Sequence, residues 1–336
     1  MKKTQLASGR RNPLPADVTA NPRVDLAKIK TIPIRRRKSK VTSGQFAGVF
    51  DPRRDSFKAF VDSLPDILVA RDLRILVDDI FRARRRGKPV MLLMGAHVVK
   101  VGLTPVLADL LASGVITSVA MNSASAIHDV ETALWGQTSE DVAVNLLDGT
   151  FGMARETGEF INGTLAVAAR ETSLGYGEAL GRRLLGVRAP NARMSLLATG
   201  ASLHVPITVH AAIGTDITHQ QPTMDGAVIG EMSFRDFRTL CALCRRLTGG
   251  GVVLNVGSAV IMPEVFLKAL TVARNLGTKA RGFTTAVFDM NLHYRPTVNV
   301  QHRPTQDGGK GFYFRGHHEI MIPLLAALIK TRLTHG

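Results

Sequence analysis

Cysteine is nearly absent. The 336-residue chain holds 2, which excludes a disulfide-built scaffold and points to a reducing, cytoplasmic setting. Long apolar runs are missing too: no stretch approaches the ~20 residues needed to span a bilayer. Met1-Lys2-Lys3 has no apolar segment behind it, so no secretory signal is expected. Acidic residues are scarce in one part only. Residues 1–90 hold 22 Lys and Arg against 9 Asp and Glu, whereas residues 91–336 hold 21 against 18. The net charge of +16 therefore belongs mainly to the front, and the body lacks the basic groove that a dedicated nucleic-acid binder needs.

The front reads as a tail. Over residues 1–40, Asn12, Pro13, Pro15, Asn21 and Pro22 break regular structure, no apolar periodicity develops, and disorder is expected. The tail ends in Arg35-Arg36-Arg37-Lys38-Ser39-Lys40. Such a run can meet nucleic acid or an acidic partner, but without interleaved aromatics it reads first as a solvated arm. Residues 56–86 then carry one or two helices, closed by Arg82, Arg84, Arg85 and Arg86 at the negative end of the helix dipole.

What the body does have is a repeated rhythm of short apolar runs ending in small residues. Val90 to Met94 leads into Gly95-Ala96-His97, a helical pattern follows as far as Gly114, and the run from Val115 to Met121 ends in Asn122-Ser123-Ala124. Strands that are apolar throughout suit a parallel sheet buried on both faces. The rhythm returns at residues 207–213 before Gly214-Thr215-Asp216, and at 252–256 before Gly257-Ser258. It recurs at 282–287 before Asp289, and a last strand at 311–315 precedes a closing helix. This predicts an α/β fold, a Rossmann-like doubly wound and mainly parallel sheet with helices on both faces, as one domain over 41–336. In open sheets of this kind ligands bind beyond the strand C-termini.

The order of these segments resembles deoxyhypusine synthase and its relatives over about residues 90–328. Gly95-Ala96-His97 stands where that family has a Ser-rich loop, and Asn122-Ser123-Ala124-Ser125-Ala126 where it has Thr-Ala-Gly-Gly followed by acidic residues. Gly214-Thr215-Asp216 resembles its Thr-Asp-Gly. Phe283-Thr284-Thr285-Ala286 with Asp289 and Arg295-Pro296 resembles its Asn-Thr-Ala, Asp and Arg-Pro segment. The resemblance implies an NAD-binding fold, a small amine as substrate, and a homo-oligomer, dimer or tetramer, with apolar residues 161–169 among the surfaces to be covered. It departs where chemistry is concerned. The family lysine follows the Arg-Pro, yet residues 297–306 contain none, and Lys310 lies just beyond.

A dinucleotide needs close backbone approach, donors at helix starts and a carboxylate for ribose hydroxyls. Gly95, Ala96, Asn122, Ser123, Ala124, Gly257, Ser258 and Thr285 are the candidates for the first two, with Asp216 and Asp289 for the third. Lys100, His97, His128, Asp129 and His317 are the candidates for catalysis. No metal-ligand spacing is present: Cys241 and Cys244 fall inside an apparent helix and read as core, as do Trp135 and Phe160. The expected function is NAD-dependent oxidation of, or transfer from, a small amine or alcohol, distinct from deoxyhypusine synthesis. The alternative is a nucleotide-sensing protein that keeps the cofactor fold without its chemistry.

Overall fold

The computed structural model describes residues 23–335, in two compact units that divide after Gly44. In the first unit residues 23–44 are exposed throughout, with short 3-10 turns at Leu26–Lys28 and Ile34–Arg36. The disorder expected for residues 1–40 falls, for residues 1–22, outside the described residues.

The second unit is built on six parallel strands: β1 (Val90–Met94), β2 (Ser118–Asn122), β3 (Ile207–His210), β4 (Val252–Val256), β5 (Thr284–Asp289) and β6 (Lys310–Arg315). Their order is β3-β2-β1-β4-β5-β6 and every neighbouring pair runs parallel. Both sheet faces are covered. Val90, Leu92 and Met94 enter one core together with α2 (Leu68–Arg85) and α5 (Ser123–Trp135), while Met91 and Leu93 enter a second with α10 (Gly226–Cys244) and α11 (Ile261–Asn275). The period-2 alternation of a strand thus feeds two cores at once, as apolar runs without polar gaps require. Each such Leu or Val, fully buried, stabilises by ~1.5–3 kcal/mol.

The helices follow their local signals. Residues 56–86 form two, α1 (Phe57–Ser63) and α2, parted by Pro65. The first crossover is broken at Gly102 (φ +76°) into α3 (His97–Lys100) and α4 (Thr104–Ala112). Helix α5 starts on an Asn122 side chain that accepts from Ser125 N and stops at left-handed Gly136. Next come α6 (Val142–Asp148), α7 (Arg155–Glu171), α8 (Tyr176–Gly186) and α9 (Leu196–Leu203). Past β5 lie the turn α12 (Tyr294–Pro296), a π-helical stretch over Thr297–His302, and, after β6, α13 (His318–Thr334).

Three expectations need correction. Strand β2 begins at Ser118, since Val115 and Ile116 still wrap back onto Leu110 O at the end of α4. Strand β3 stops at His210 because it sits at the sheet edge and pairs with β2 alone, and Ile213 beyond it is 60 % exposed. Within residues 161–169, Ile161 and Leu165 are buried in the chain's own core. Val167 in that segment stays exposed, and α6 carries further exposed apolar side chains, among them Val144, Leu146 and Leu147.

Candidate functional site

Because all strands run one way, their C-termini lie on one edge of the sheet. The crevice between β1 and β4, where the strand order reverses, is closed by the chain itself. Gly95 N donates to Val256 O and Gly257 N to Phe288 O, each at 3.0 Å. A Cβ on Gly95 would stand 2.0 Å from Gly257 O, so this glycine is required by another backbone and not by a ligand. Left-handed Gly257 (φ +63°) packs on the ring of buried His318, whose Nε2 lies 3.2 Å from Phe288 O and whose ring meets that of His97 edge-on at 5.3 Å. Burial holds the His318 imidazole below its ordinary pKa, against the bond to Phe288 O, so it stays neutral and donates from Nε2. Its Nδ1 is left without a partner among the described residues.

The cavity lies one crevice over, beyond β2 and β3. A cleft of about 710 Å³ runs between α5, α7 and the loop after β3, and Lys100, Ala124, His128, Glu131, Thr138 and Asp216 contribute to its wall. This volume lies in the range that small ligands fill. The polar groups of its floor are interlocked. Ser123 Oγ donates to Asp216 Oδ2, and Asp216 caps the 3-10 turn Ile217–Gln220. His219 Nδ1 accepts from Gly214 N at 3.1 Å and Asp216 N at 3.2 Å, which leaves its proton on Nε2, 3.7 Å from Asp216 Oδ2. Burial raises the Asp216 carboxyl, against the bond from Ser123 and the nearby His219 and His128 rings.

A second cluster lines the α5 side of the cleft. His128 and Glu131 are three residues apart and share a helix face. His128 Nδ1 lies 2.6 Å from Thr138 Oγ1, and Thr138 Oγ1 in turn donates to Glu131 Oε2. Thr157 Oγ1 on α7 donates to Glu131 Oε1 at 3.1 Å. Burial pushes the Glu131 carboxyl up, but the nearby His128 ring and the bonds from Thr138 and Thr157 together outweigh it and hold the group below its ordinary value. Lys100 at the end of α3 is exposed and its ammonium has no partner among the described residues.

Of the residues expected at a site, Lys100, Ala124, His128 and Asp216 come together in this cleft, with Ser123 beneath Asp216. Others do structural work. Asp129 faces the opposite side of α5, wholly buried, and takes Ser195 Oγ, Leu196 N (2.7 Å) and Leu197 N (3.1 Å) at the start of α9. It is a buried helix cap, so its expected catalytic role is corrected; burial pushes its pKa up to about 6, offset in part by these bonds. Thr285 pairs with Val253 near the start of β5 and is buried in the sheet, several residues from the C-terminal edge. Ser258 accepts from Met262 N at 3.2 Å, and Asp289 from Asn291 N at 3.3 Å with His293 3.5 Å away. Ala96 precedes α3 beside the closed crevice. His317 is exposed beside Glu319, while its neighbour His318 enters the crevice.

Sequence reasoning missed Glu131, Thr138, His219 and His318. The i, i+3 spacing of His128 and Glu131 was a usable signal; Thr138 and His219 meet the site through loops, and His318, at the start of α13, packs in the closed crevice. Trp135, expected in the core, is 42 % exposed and lines the cleft. Cys241 and Cys244 are buried in α10, as core residues. Among the described residues no group of three His, Cys, Asp or Glu is placed to hold a metal, and no helix is long and apolar enough to cross a membrane. Lys310 opens β6 and pairs with Asp79 Oδ2 at 3.0 Å, at the N-terminal edge of the sheet and opposite the cleft.

No family model and no curated protein matches the chain. Solved structures do. A "conserved putative LOR/SDH protein" from Methanococcus maripaludis S2 aligns with 79 % of this chain and 70 % of its own at 15 % identity and a TM-score of 0.50. AgrE, solved as a ternary complex with ornithine and NAD+, aligns with 80 % of this chain at 13 % identity and a TM-score of 0.51. The alignment covers 34 % of the AgrE chain, so the present protein spans about a third of it. A "putative deoxyhypusine synthase" from Entamoeba histolytica aligns with 84 % of this chain and 96 % of its own, at 10 % identity and a TM-score of 0.49. At such identities the likeness is one of fold alone: the chain shares with the first two a parallel α/β architecture.

Proposed function

We propose that this protein is an NAD-dependent enzyme that oxidises, or transfers part of, a small amine or alcohol bound in the cleft beyond β2 and β3. The observation that carries the reading is the convergence of a free cation, an open helix start, an acid and a histidine on that one cavity. An α-helix leaves its first amides without intrahelical partners. At α5 a side chain caps Ser125 N alone, and Ala124 forms part of the cleft wall beside it. That helix start and the unpaired Lys100 suit a pyrophosphate, and Asp216 suits a hydroxyl donor. The residues present therefore fit a dinucleotide, at the β2 end and not at the switch point. A bound NAD would supply the hydride acceptor. Glu131, Glu140 and Glu156 also line the cleft, a setting that favours a cationic substrate over an anionic one. AgrE holds ornithine together with NAD+, which supports the pairing of an amine with this cofactor.

Deoxyhypusine synthesis is a different matter. It needs a lysine at the site to form the imine, and Lys310 is held at the far edge of the sheet by Asp79. Incubation with NAD, labelled spermidine and the translation-factor acceptor is expected to transfer no label. Calorimetric titration tests the cofactor directly. NADH is expected to bind, and Lys100→Ala to weaken it about tenfold, the loss of one charge-assisted contact worth about 1.4 kcal/mol. Absence of heat with either NAD or NADH at millimolar ligand would sink the reading. The exposed apolar face of α6 beside the cleft further supports a homo-oligomer, for which light scattering should give a mass well above 36.3 kDa.

A further inference from the structure

We propose that His128 is the proton acceptor of the cleft, fixed in one tautomer by a hydroxyl relay through Thr138 to Glu131, which acts as its positioning residue. The proposal rests on the cleft being the reaction site, but it does not depend on which cofactor binds there.

The tautomer follows from counting protons. A threonine hydroxyl carries a single hydrogen. Glu131 takes Thr157 Oγ1–H on Oε1 at 3.1 Å and Thr138 Oγ1–H on Oε2. A carboxylate accepts only, and Glu131 is held below its ordinary pKa despite its burial, so it cannot donate back to Thr138. The Thr138 hydrogen is therefore spent. The 2.6 Å contact between Thr138 Oγ1 and His128 Nδ1 can be a hydrogen bond only if Nδ1 carries the proton and the hydroxyl oxygen accepts it. The other nitrogen, Nε2, then bears the lone pair and has no partner among the described residues, on a side chain that lines the cavity. Glu131 Oε2 stands 3.8 Å from Nδ1, too far for a direct bond.

The step this allows is a simple one. The X–H bond of an amine or alcohol substrate breaks, its electron pair stays on X, and the proton forms an Nε2–H bond. Imidazole becomes imidazolium, and its Nδ1–H now faces a hydroxyl already polarised by a carboxylate. The same logic holds where a carboxylate orients a histidine directly; here one threonine is interposed. The charged groups facing His128 are Glu131 on its own helix, Asp216 on the loop after β3, and Lys100 at the end of α3. A loop anchor alone would explain Thr138 and Thr157 on Glu131. It would not place the histidine ring on the same hydroxyl.

The test is nitrogen NMR of the protein labelled with 15N-histidine, with no ligand added, at a pH where the ring is neutral. His128 is expected to show a protonated Nδ1 and an unprotonated Nε2. Glu131→Ala frees the Thr138 hydrogen to donate to Nδ1, so the signature should shift toward protonated Nε2. Thr138→Val should lose the fixed tautomer, and Thr138→Ser should keep it. Should Glu131→Ala fail to fold, the valine and serine variants carry the test between them. A protonated Nε2 in the parent protein would overturn the proposal, as would a tautomer that Thr138→Val leaves unchanged. The NMR reading needs no ligand, and NADH titration of the unsubstituted protein tests the cofactor separately, so failure of the relay and failure of the cofactor reading are distinguishable.

Discussion

Two crevices at the C-terminal edge of one sheet have been finished in opposite ways. The one between β1 and β4 is where open α/β sheets usually receive ligands. Here it is filled by protein, with Gly95 against Gly257 and the His318 ring laid over them. The one beyond β2 and β3 remains a cleft of about 710 Å³ with a lysine, a histidine and acids in its wall. Both begin with small residues at a strand end. A small residue reports that something comes close; whether that is a second strand or a ligand depends on what the rest of the chain delivers there.

The sharpest way to break this comparison is to add one carbon to the closed crevice. In Gly95→Ala the new Cβ would meet the Gly257 carbonyl oxygen at 2.0 Å, and backbone on both sides cannot yield as a flexible side chain would. Overpacking of this sort costs about 3 kcal/mol, to be read as a shift in the denaturation midpoint. NADH affinity of the folded fraction should stay as it was. A Gly95→Ala protein of full stability that no longer binds NADH would show that the first crevice holds the cofactor.

A comparison within α5 comes next in size. His128 and Asp129 are neighbours in sequence, yet one faces the cleft and the other caps α9 from the opposite side. The Asp129 pKa is about 6 in the folded chain against an ordinary 3.8, because burial outweighs its bonds from Ser195, Leu196 and Leu197. A group whose folded pKa is raised contributes stability that is full below about pH 4 and lost as pH rises through 6. The size is about 3 kcal/mol for this shift. Unfolding measured between pH 4 and 7 should show that decline, and Asp129→Asn should flatten it. An unchanged slope in the variant would place the titration on another buried acid, of which Asp236, pushed up to about 7 by burial, is the alternative.

How much of this could be read beforehand follows the same division. Strand β4 and the doubly wound sheet were legible because Val90 to Met94 are apolar without a break and Val252 to Val256 are apolar but for Asn255, as short strands buried on both faces are. Lys100, Ala124, His128 and Asp216 were legible because they follow strand ends. Asp129 was misassigned because adjacency in a helix means a turn of about 100° around its axis, so two neighbours rarely serve one cavity. Glu131, Thr138 and Thr157 meet through α5, the loop after Gly136 and α7. That meeting depends on tertiary packing, which no local pattern encodes. His318 was passed over for His317 because only the angle at which α13 leaves β6 decides which of the two turns inward.

The smallest expected effect concerns the two ends of the sheet, and it is informative because it is small. Lys310 is the lysine nearest in sequence to where the deoxyhypusine synthase lysine would stand, so a role in chemistry would make it indispensable. Its place says otherwise. It begins β6 in register with Thr284, the first residue of β5, whereas the cleft lies past the last residues of β2 and β3. Five steps of about 3.3 Å each along β6 separate its position from the last residue of the strand, Arg315, and the ammonium is tied at 3.0 Å to Asp79, which Arg82 and Thr284 also engage. Asp79 stays ionised because those partners outweigh the cost of burying it. Since Lys310 is half exposed, its pair with Asp79 is screened and worth no more than about 1 kcal/mol. Lys310→Ala should therefore move the denaturation midpoint slightly and leave both NADH affinity and turnover of any amine substrate unaltered. Loss of turnover with unchanged stability would return this lysine to the reaction, and with it the deoxyhypusine chemistry that its position argues against.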